Sequence, residues 1–380
     1  RILCLLAISA VALSFPVDEY VADEVKSESW FSLMSWSKKS KATICDDLDW
    51  RKFSFKLAKE LPAAGLFKDL LGMSKWETSG MDVVGDNIYM IFDSSAFIGK
   101  TDEMFEYRDP ANSLITHPGE EESDFEAIQY SDDTDTFLIV REAVPTEEDE
   151  TYTPSIVEAQ LKGDTYKILQ ECQADYTFDN DSKGWEGGLY FSRNGKRFFL
   201  GLCEGNHCEG GSKGKEKGNG MTILTQLKED KDGNCLWEFV QEVPLPKEVA
   251  FQDYSDLALY GDNIAVVSQE EAAVWIGKLD TELWEIMGPG VIYHFPRDAN
   301  CEMIYCNIEG IAFLDEYRLM TSSDKAKAAQ PYGCVDKDQS VQVFYLPTPL
   351  SNDSIPVAPS PDDQDKLPRS ARANLKTTAV

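Results

Sequence analysis

Acidic residues recur at matching places in a pattern that this chain repeats five times. Each copy has a small or acidic residue beside Gly or Ala, two apolar runs separated by a turn, and a closing acid. Each closing residue follows its opening residue by 14 to 18 positions, and successive openings lie 47 to 69 positions apart. The copies open at Ser79, Glu126, Glu186, Ser255-Asp256 and Glu309 and close at Asp93, Glu142, Glu204, Glu270 and Asp324.

The spacing predicts that these acids meet. A hairpin places the start of one strand beside the end of its partner, so opening and closing residues fall at the same end of each sheet. Carboxylates gathered in one place raise one another's pKa, and a hard divalent cation such as Ca²⁺ relieves that repulsion. We therefore expect the gathered acids to hold a divalent cation such as Ca²⁺ at this end of the sheets. The alternative is that these carboxylates accept backbone N–H bonds and lock neighbouring sheets together.

A candidate catalytic pair lies in the third copy. The chain has three histidines, and His207 follows closely on Glu204 in the segment 204–209. A histidine near the carboxylates could serve as a general base or a metal ligand, with Glu204 beside it. The alternative is an exposed loop histidine next to a disulfide. The sequence contains neither the Gly-x-Ser-x-Gly motif of serine hydrolases nor the His-Glu-x-x-His zinc motif.

Repeats of two strands and a turn at this period are typical of a β-propeller. No segment shows a sustained helical period, so we expect an all-β fold, a single β-propeller over residues 45–348. Five openings are visible, and the strands at 50–57 and 341–346 could pair to close one more blade. Six blades are therefore expected, with five as the alternative.

The blade motifs also resemble those of a known family. Trp185-Glu186-Gly187, Tyr254-Ser255-Asp256 and Glu309-Gly310-Ile311 are similar to motifs of the SdiA-regulated propellers and the related phytase-like esterase propellers. The similarity covers roughly residues 77–346. It implies a channel mouth lined by acids, with calcium held there by Glu126, Glu186, Glu309 and, in the fourth copy, Asp256. The first copy departs from the family pattern, because Ser79 stands where an acid is expected.

Composition indicates an exported protein. Residues 1–14 form a short apolar run ending in small residues, which is typical of a secretory signal peptide. Residues 15–44 read as a loosely packed lead-in, and residues 349–380 as a Pro/Ser/Asp-rich and then basic tail that we expect to be disordered. No other run approaches the length of a membrane helix. The net charge of −31 argues against nucleic-acid binding, which needs a basic surface.

Nine cysteines agree with export. Cys4 lies in the signal peptide, and the remaining eight are expected to form disulfides. Cys203 with Cys208, and Cys301 with Cys306, are close enough in sequence to staple single loops, although spacing does not fix the pairing. Sequons at Asn180 and Asn352 fit a glycosylated, secreted protein.

Two functions from different classes follow. The first is a calcium-dependent hydrolase that attacks an ester or phosphoester at the channel mouth. The second is a non-catalytic extracellular propeller that recognises a glycan or a protein partner. In either case a small-molecule or glycan ligand at the mouth, or an extracellular protein, is the expected partner.

Overall fold

The structure, a computed structural model, describes most of the region predicted to be folded. The predicted signal peptide, the lead-in, both sequon asparagines and all of the tail beyond residue 351 lie outside the described residues. The described ranges are 45, 50–67, 75–118, 123–146, 151–179, 181 and 183–351.

Five four-stranded antiparallel sheets follow one another along the chain as blades of a propeller. Blade 1 contains β2 (Thr78–Val84), β3 (Asn87–Phe92), β4 (Ser95–Asp102) and β5 (Ser113–Ile115). Blade 2 contains β6 (Phe125–Ser131), β7 (Thr136–Pro145), β8 (Tyr152–Lys162) and β9 (Thr165–Gln173). Blade 3 contains β10 (Trp185–Arg193), β11 (Lys196–Cys203), β12 (Met221–Glu229) and β13 (Cys235–Pro244). Blade 4 contains β14 (Tyr254–Tyr260), β15 (Asn263–Ser268), β16 (Ala273–Asp280) and β17 (Glu285–His294).

The fifth blade joins the two ends of the propeller. It contains β18 (Ile308–Asp315), β19 (Arg318–Ser323), β20 (Ser340–Tyr345) and, as its outermost strand, β1 (Lys56–Pro62). Strand β1 runs antiparallel to β20, with Lys56 opposite Tyr345 and Pro62 opposite Ser340. The expected six blades are therefore wrong and the alternative of five is confirmed. The two terminal strands complete the fifth sheet instead of forming a sixth.

Helical structure is short throughout the described part of the chain. The α-helices are α1 (Ala63–Leu66), α2 (Gly211–Gly214) and α3 (Tyr332–Val335), and 3₁₀ turns cover Trp50–Phe53 and Asn206–Cys208. None of the helices in the described ranges has the length and apolar character to cross a membrane.

The core lies between adjacent blades. Alternate residues of each strand face the neighbouring sheet, as in Leu200 and Leu224 of blade 3, which pack with Val266 and Trp275 of blade 4. The innermost strands β2, β6, β10, β14 and β18 lie side by side around a central channel. Each inner strand therefore has a fixed neighbour on both sides, which holds its side chains in register with those of the next blade.

Four disulfides staple the propeller. Cys203–Cys208 closes a single loop, as its spacing predicted, and Cys172–Cys235 joins the outermost strands of blades 2 and 3. The other two bridges are Cys45–Cys301 and Cys306–Cys334. The prediction that eight cysteines pair is confirmed. Cys301 and Cys306, however, do not pair with each other, because each bridges to a distant segment.

Candidate metal centre at the channel mouth

A β-bulge stands at the second residue of every innermost strand. In each blade the pairing with the next strand shifts immediately after the first residue, and a bulge of this kind re-aims one side chain. The bulged residues are Ser79, Glu126, Glu186, Ser255 and Glu309. The opening residues of the sequence repeat are therefore equivalent in space, and all of them stand at the same end of the channel, its mouth.

The residue after the bulge is small for a steric reason. A Cβ on Gly80 would lie 2.8 Å from the carbonyl oxygen of Glu126, and one on Gly187 would lie 2.7 Å from the Cα of Asp256. Because neighbouring inner strands approach this closely, Gly or Ala follows the bulge in four of the five blades. In each Glu-Gly pair of the sequence, the bulge therefore directs the Glu carboxylate and the Gly allows the close contact between blades.

Blade 4 departs from the sequence-based assignment. Ser255 holds its bulge position, and Asp256 stands one residue further, at the position that is small in the other blades. The Asp256 carboxylate accepts the N–H of Leu257 at 2.7 Å and the N–H of Ile311 at 2.8 Å. The structure therefore places Asp256 in a clasp between blades 4 and 5, which is the blade-locking alternative, and apart from the other three predicted ligands.

Serine replaces glutamate at two bulges and makes the same kind of clasp. The Ser79 hydroxyl donates to the carbonyl of Phe125, and the Ser255 hydroxyl donates to that of Ile308 at 2.8 Å. In both cases the acceptor is the first residue of the next inner strand. Asp82, deeper in blade 1, likewise accepts the N–H of Tyr130 in blade 2 at 2.7 Å.

The three bulge glutamates are different. The side-chain carboxylates of Glu126, Glu186 and Glu309 form no hydrogen bond or ion pair with any residue that the structure describes. Glu126 is only 9% exposed. Burial raises the pKa of all three carboxyls well above the ordinary value, and repulsion from the neighbouring carboxylates raises it further. Glu186 and Glu309 are half-buried, so the three carboxylates face the mouth without donors, where mutual repulsion is relieved by a cation or by protons.

The tightest group of carboxylates lies at the mouth between blades 2 and 3. One oxygen from each of Glu142, Glu186 and Glu204 can be chosen so that all three lie within 4.8 Å of one another. Glu142 and Glu204 are closing residues of their repeats, so the hairpin argument correctly predicted that closing and opening acids meet. The predicted ligand Glu186 is the member contributed by a bulge.

Two neighbouring residues hold this group in place. The N–H of Gly184 donates to Oε1 of Glu142 at 2.7 Å, and a Cβ on Gly184 would lie 2.2 Å from the carbonyl oxygen of Glu142. Lys183 forms an ion pair with Oε1 of Glu204 and lies 3.4 Å from Asp253. Oε2 of Glu204 is buried without a hydrogen-bond partner in the described structure. Lys183 lies outside the repeated pattern, so the sequence analysis did not identify it as part of the site.

Burial dominates the electrostatics of Glu204. It raises the pKa of this carboxyl to about 7, against the opposing effect of Lys183. Glu142 shows the same direction, because burial raises its pKa while the Gly184 N–H and Lys183 lower it. Burial and mutual repulsion therefore favour protonation of this group when no cation is present.

The opposite side of the mouth is also acidic. Burial raises the pKa of Asp324 to about 6, and its Oδ1 is buried without a partner in the described structure. Asp324 is the neighbour that raises the pKa of Glu309 most, after burial. In blade 4 the equivalent closing position holds Gln269, which accepts a hydrogen bond from Lys327 at 2.8 Å. Glu270, the predicted closing acid, is exposed.

The predicted catalytic pair is separated. Glu204 belongs to the carboxylate group, whereas Nε2 of His207 lies 3.3 Å from Glu216, in the same excursion of blade 3. His207 has a left-handed backbone with φ 60° and is not a member of the group. The structure thus turns the His207 ring towards its own loop, as in the alternative given for it.

Comparisons with known proteins assign neither a family nor an activity to the chain. No family model matches the chain, and no curated protein matches its sequence. The resemblance to SdiA-regulated and phytase-like propellers is therefore not confirmed beyond the propeller fold.

Among solved structures the chain is similar to other propellers. A GH43_1 enzyme from Xanthomonas citri has a TM-score of 0.45 at 9% identity, covering 81% of this chain and 96% of that one. RS223-β-xylosidase has a TM-score of 0.44 at 10% identity, covering 79% and 98%. The calcium-binding protein regucalcin from Agrobacterium tumefaciens has a TM-score of 0.39 at 11% identity, covering 80% and 98%. Similarities this distant say nothing about activity.

Proposed function

We propose that this protein is an exported propeller that binds Ca²⁺ at the mouth of its channel. The ligands are Glu142, Glu186 and Glu204, with Glu126 and Glu309 facing the same space. Export is supported by the four disulfides, because such bridges persist in oxidising compartments.

One observation carries the proposal. Glu126 is buried and Glu186 half-buried, and the described structure supplies no donor to either carboxylate. Inner-strand acids that serve as clasps behave differently, as Asp82 and Asp256 each accept two backbone N–H bonds. Because unpaired buried carboxylates destabilise a fold, their persistence at the bulges favours a cation as their partner.

The chemistry of the group favours Ca²⁺ among divalent cations. Every member offers carboxylate oxygen, and neither a histidine nor a cysteine belongs to the group. Ca²⁺ takes six to eight oxygen ligands in flexible geometry, whereas Zn²⁺ prefers nitrogen and sulfur and Mg²⁺ demands a near-ideal octahedron. Carboxylates that come from separate strands suit the least demanding of these ions.

Calorimetric titration tests the proposal. Ca²⁺ is titrated into protein stripped with EDTA, and Mg²⁺ is titrated in parallel. We expect saturable Ca²⁺ binding that is lost in the double variant Glu186→Gln/Glu309→Gln and kept in Glu270→Gln, whose carboxylate is exposed near the same rim. Absence of saturable Ca²⁺ binding to the unaltered protein would make the buried glutamates sites of protonation and not of metal binding.

Ester or phosphoester hydrolysis at the mouth is a second candidate, favoured by Glu204. Its pKa of about 7 and its unpartnered Oε2 are properties that a general base needs. In this candidate Glu204 acts as the base and not as a ligand, and a Ca²⁺ ion held by Glu142 and Glu186 would polarise the substrate oxygen. Turnover of aryl esters and aryl phosphates that requires Ca²⁺ and is lost in Glu204→Gln, but kept in His207→Gln, would establish this reaction.

The non-catalytic alternative predicts the opposite result. No ester or phosphate would turn over, and a glycan or extracellular protein would bind at the mouth. The segment 205–220 borders the closing residue Glu204, so its removal would weaken such binding. Unchanged partner binding after that removal would place the partner elsewhere on the propeller.

A further inference from the structure

A cavity of about 270 Å³ lies between blades 3 and 4 at the end of the propeller opposite the carboxylates. It lies at the hairpin turn that ends β10, seven residues beyond Glu186 and so about 23 Å away at the rise of a β-strand. The residues lining it are Arg193, Asn194, Lys196, Phe198, Glu282 and Trp284.

Two cations stand side by side at this cavity. Asn194 (φ 51°) and Gly195 (φ 71°) form a two-residue turn of the I′ kind, which places Arg193 directly opposite Lys196. Like charges directly opposite each other across strands destabilise a hairpin. The exposed side chain of Lys196 forms no ion pair or hydrogen bond within the described part of the chain. In a chain of net charge −31, such a pair is a local exception that an anion would stabilise.

Arg193 already forms an ion pair with a carboxylate of the protein. Its guanidinium pairs with Glu282 on the turn between β16 and β17, and it donates to the carbonyl of Thr281 at 2.5 Å. The Glu282 side chain is 76% exposed, and exposed ion pairs contribute only about 0–1 kcal/mol. A ligand carboxylate can therefore displace Glu282 at little cost.

The aromatic wall of the cavity is held in a strained conformation. Trp284 has φ 57°, a left-handed region that bulky residues rarely adopt. Its indole packs against Phe191 and Phe198, with ring centroids 5.1 and 5.3 Å away. Trp284 is 9% exposed, so Phe198, which is half-buried, offers the cavity more of its accessible aromatic surface.

We propose that this cavity binds an acidic sugar residue. The carboxylate lies between Arg193 and Lys196, and the sugar ring lies against Phe198 and the accessible part of Trp284, with the Asn194 amide available to a hydroxyl. The volume is slightly below the roughly 300–1,000 Å³ of typical ligand pockets, which favours one ring over a chain. At physiological salt the field of the protein's distant carboxylates is screened beyond about 8 Å. The charges of Arg193 and Lys196 therefore dominate the electrostatic potential that a bound carboxylate experiences.

Titration with glucuronate, in 0.15 M salt and EDTA, tests this site, with glucose as the neutral control. We expect saturable glucuronate binding, a change in tryptophan fluorescence and no binding of glucose. Lys196→Gln, an exposed change that leaves the fold intact, should weaken binding about tenfold, and Arg193→Gln should weaken it further. Glu282→Gln should tighten it about two- to fivefold, because the competing carboxylate is gone.

Leu283→Ala is the matched control, since Leu283 is 60% exposed on the same turn and does not line the cavity. It should bind glucuronate like the unaltered protein. The proposal is overturned if glucuronate does not bind, if glucose binds equally well, or if Lys196→Gln leaves the affinity unchanged.

Discussion

The carboxylate of Asp256 accepts the backbone N–H of Ile311 at 2.8 Å, and this bond joins blade 4 to blade 5. Asp256 was expected to bind the metal with Glu186, yet the two residues stand at different positions relative to the bulge. The molecule therefore contains two kinds of inner-strand acid. One kind accepts N–H groups between blades, and the other faces the mouth without donors.

Replacing Asp256 should separate these two roles. Asp256→Ala fits sterically, because Ala127 holds the equivalent position in blade 2, but it leaves buried N–H groups of Leu257 and Ile311 without this acceptor. We expect the free energy of unfolding to fall by about 1–3 kcal/mol, with Ca²⁺ affinity unchanged. Urea unfolding and calorimetric titration measure the two quantities. A large loss of Ca²⁺ affinity at unchanged stability would instead make Asp256 a ligand.

Replacing Glu186 should have the opposite effects: higher stability without Ca²⁺ and weaker Ca²⁺ binding. Glu186→Gln removes one of several repelling buried carboxylates, so the EDTA-treated protein should melt at a higher temperature than the unaltered protein at pH 7.5. Its Ca²⁺ affinity should fall by about 100-fold or more, because loss of an outer-shell partner alone costs about 10- to 100-fold and Glu186 is a direct ligand. The stabilisation by Ca²⁺, about 2.7 kcal/mol at 100 times the dissociation constant, should therefore shrink. Thermal melts with and without Ca²⁺ show both effects, and Glu270→Gln should show neither.

The stability of the metal-free protein should depend on pH in an unusual direction. Glu204 and Asp82 have pKa values raised to about 7, and Asp324 one raised to about 6. The folded state binds more protons than the unfolded state between about pH 4 and 7, so stability falls as pH rises through this window. His294 opposes this below pH 6.5, since burial lowers its pKa to about 4.

The carboxylates outnumber that single histidine, so in EDTA the melting temperature should decrease from pH 5 to pH 7.5. Saturating Ca²⁺ should reverse the slope, because the ion binds the deprotonated carboxylates. A melting temperature that rises with pH in EDTA would contradict the protonated state assigned to the mouth.

The segment that holds Glu142 can be tested with glycine variants. Gly184→Ala places a Cβ 2.2 Å from the carbonyl oxygen of Glu142, so the strands must shift and the Gly184 N–H can no longer hold the carboxylate. Ca²⁺ affinity should fall by about tenfold or more. Gly85→Ala is the matched control, because its φ of 60° strains the new side chain while nothing lies within 4 Å. It should lower stability by about 1 kcal/mol and leave Ca²⁺ binding intact.

Local patterns and long-range pairings differ in how far the sequence predicts them. The propeller could be predicted because each hairpin has its own alternating strands and turn residues. The number of blades could not, because it depends on the pairing of β1 with β20 across nearly 300 residues. The partner of Cys301 lies 256 residues away and that of Cys306 lies 28 residues away, so neither pairing follows from the short spacing between the two cysteines.

The site was predicted in part for a similar reason. The meeting of opening and closing acids follows from hairpin geometry, and Glu186 with Glu204 bears it out. Asp256 stands one residue after the bulge, and such a one-residue shift sends a side chain to another environment, which the sequence repeat does not show. Lys183 precedes the repeat and carries no periodic signal, so only the structure shows its ion pair with Glu204.

Anomalous diffraction from crystals grown with Ca²⁺ tests the central claim most directly. We predict a single strong anomalous peak at the channel mouth within 2.3–2.6 Å of carboxylate oxygens from Glu142, Glu186 and Glu204, the range of Ca²⁺–oxygen distances. The peak should vanish in crystals of Glu186→Gln. A mouth without an anomalous peak at millimolar Ca²⁺, with the three carboxyls bonded to one another through protons, would contradict the calcium site.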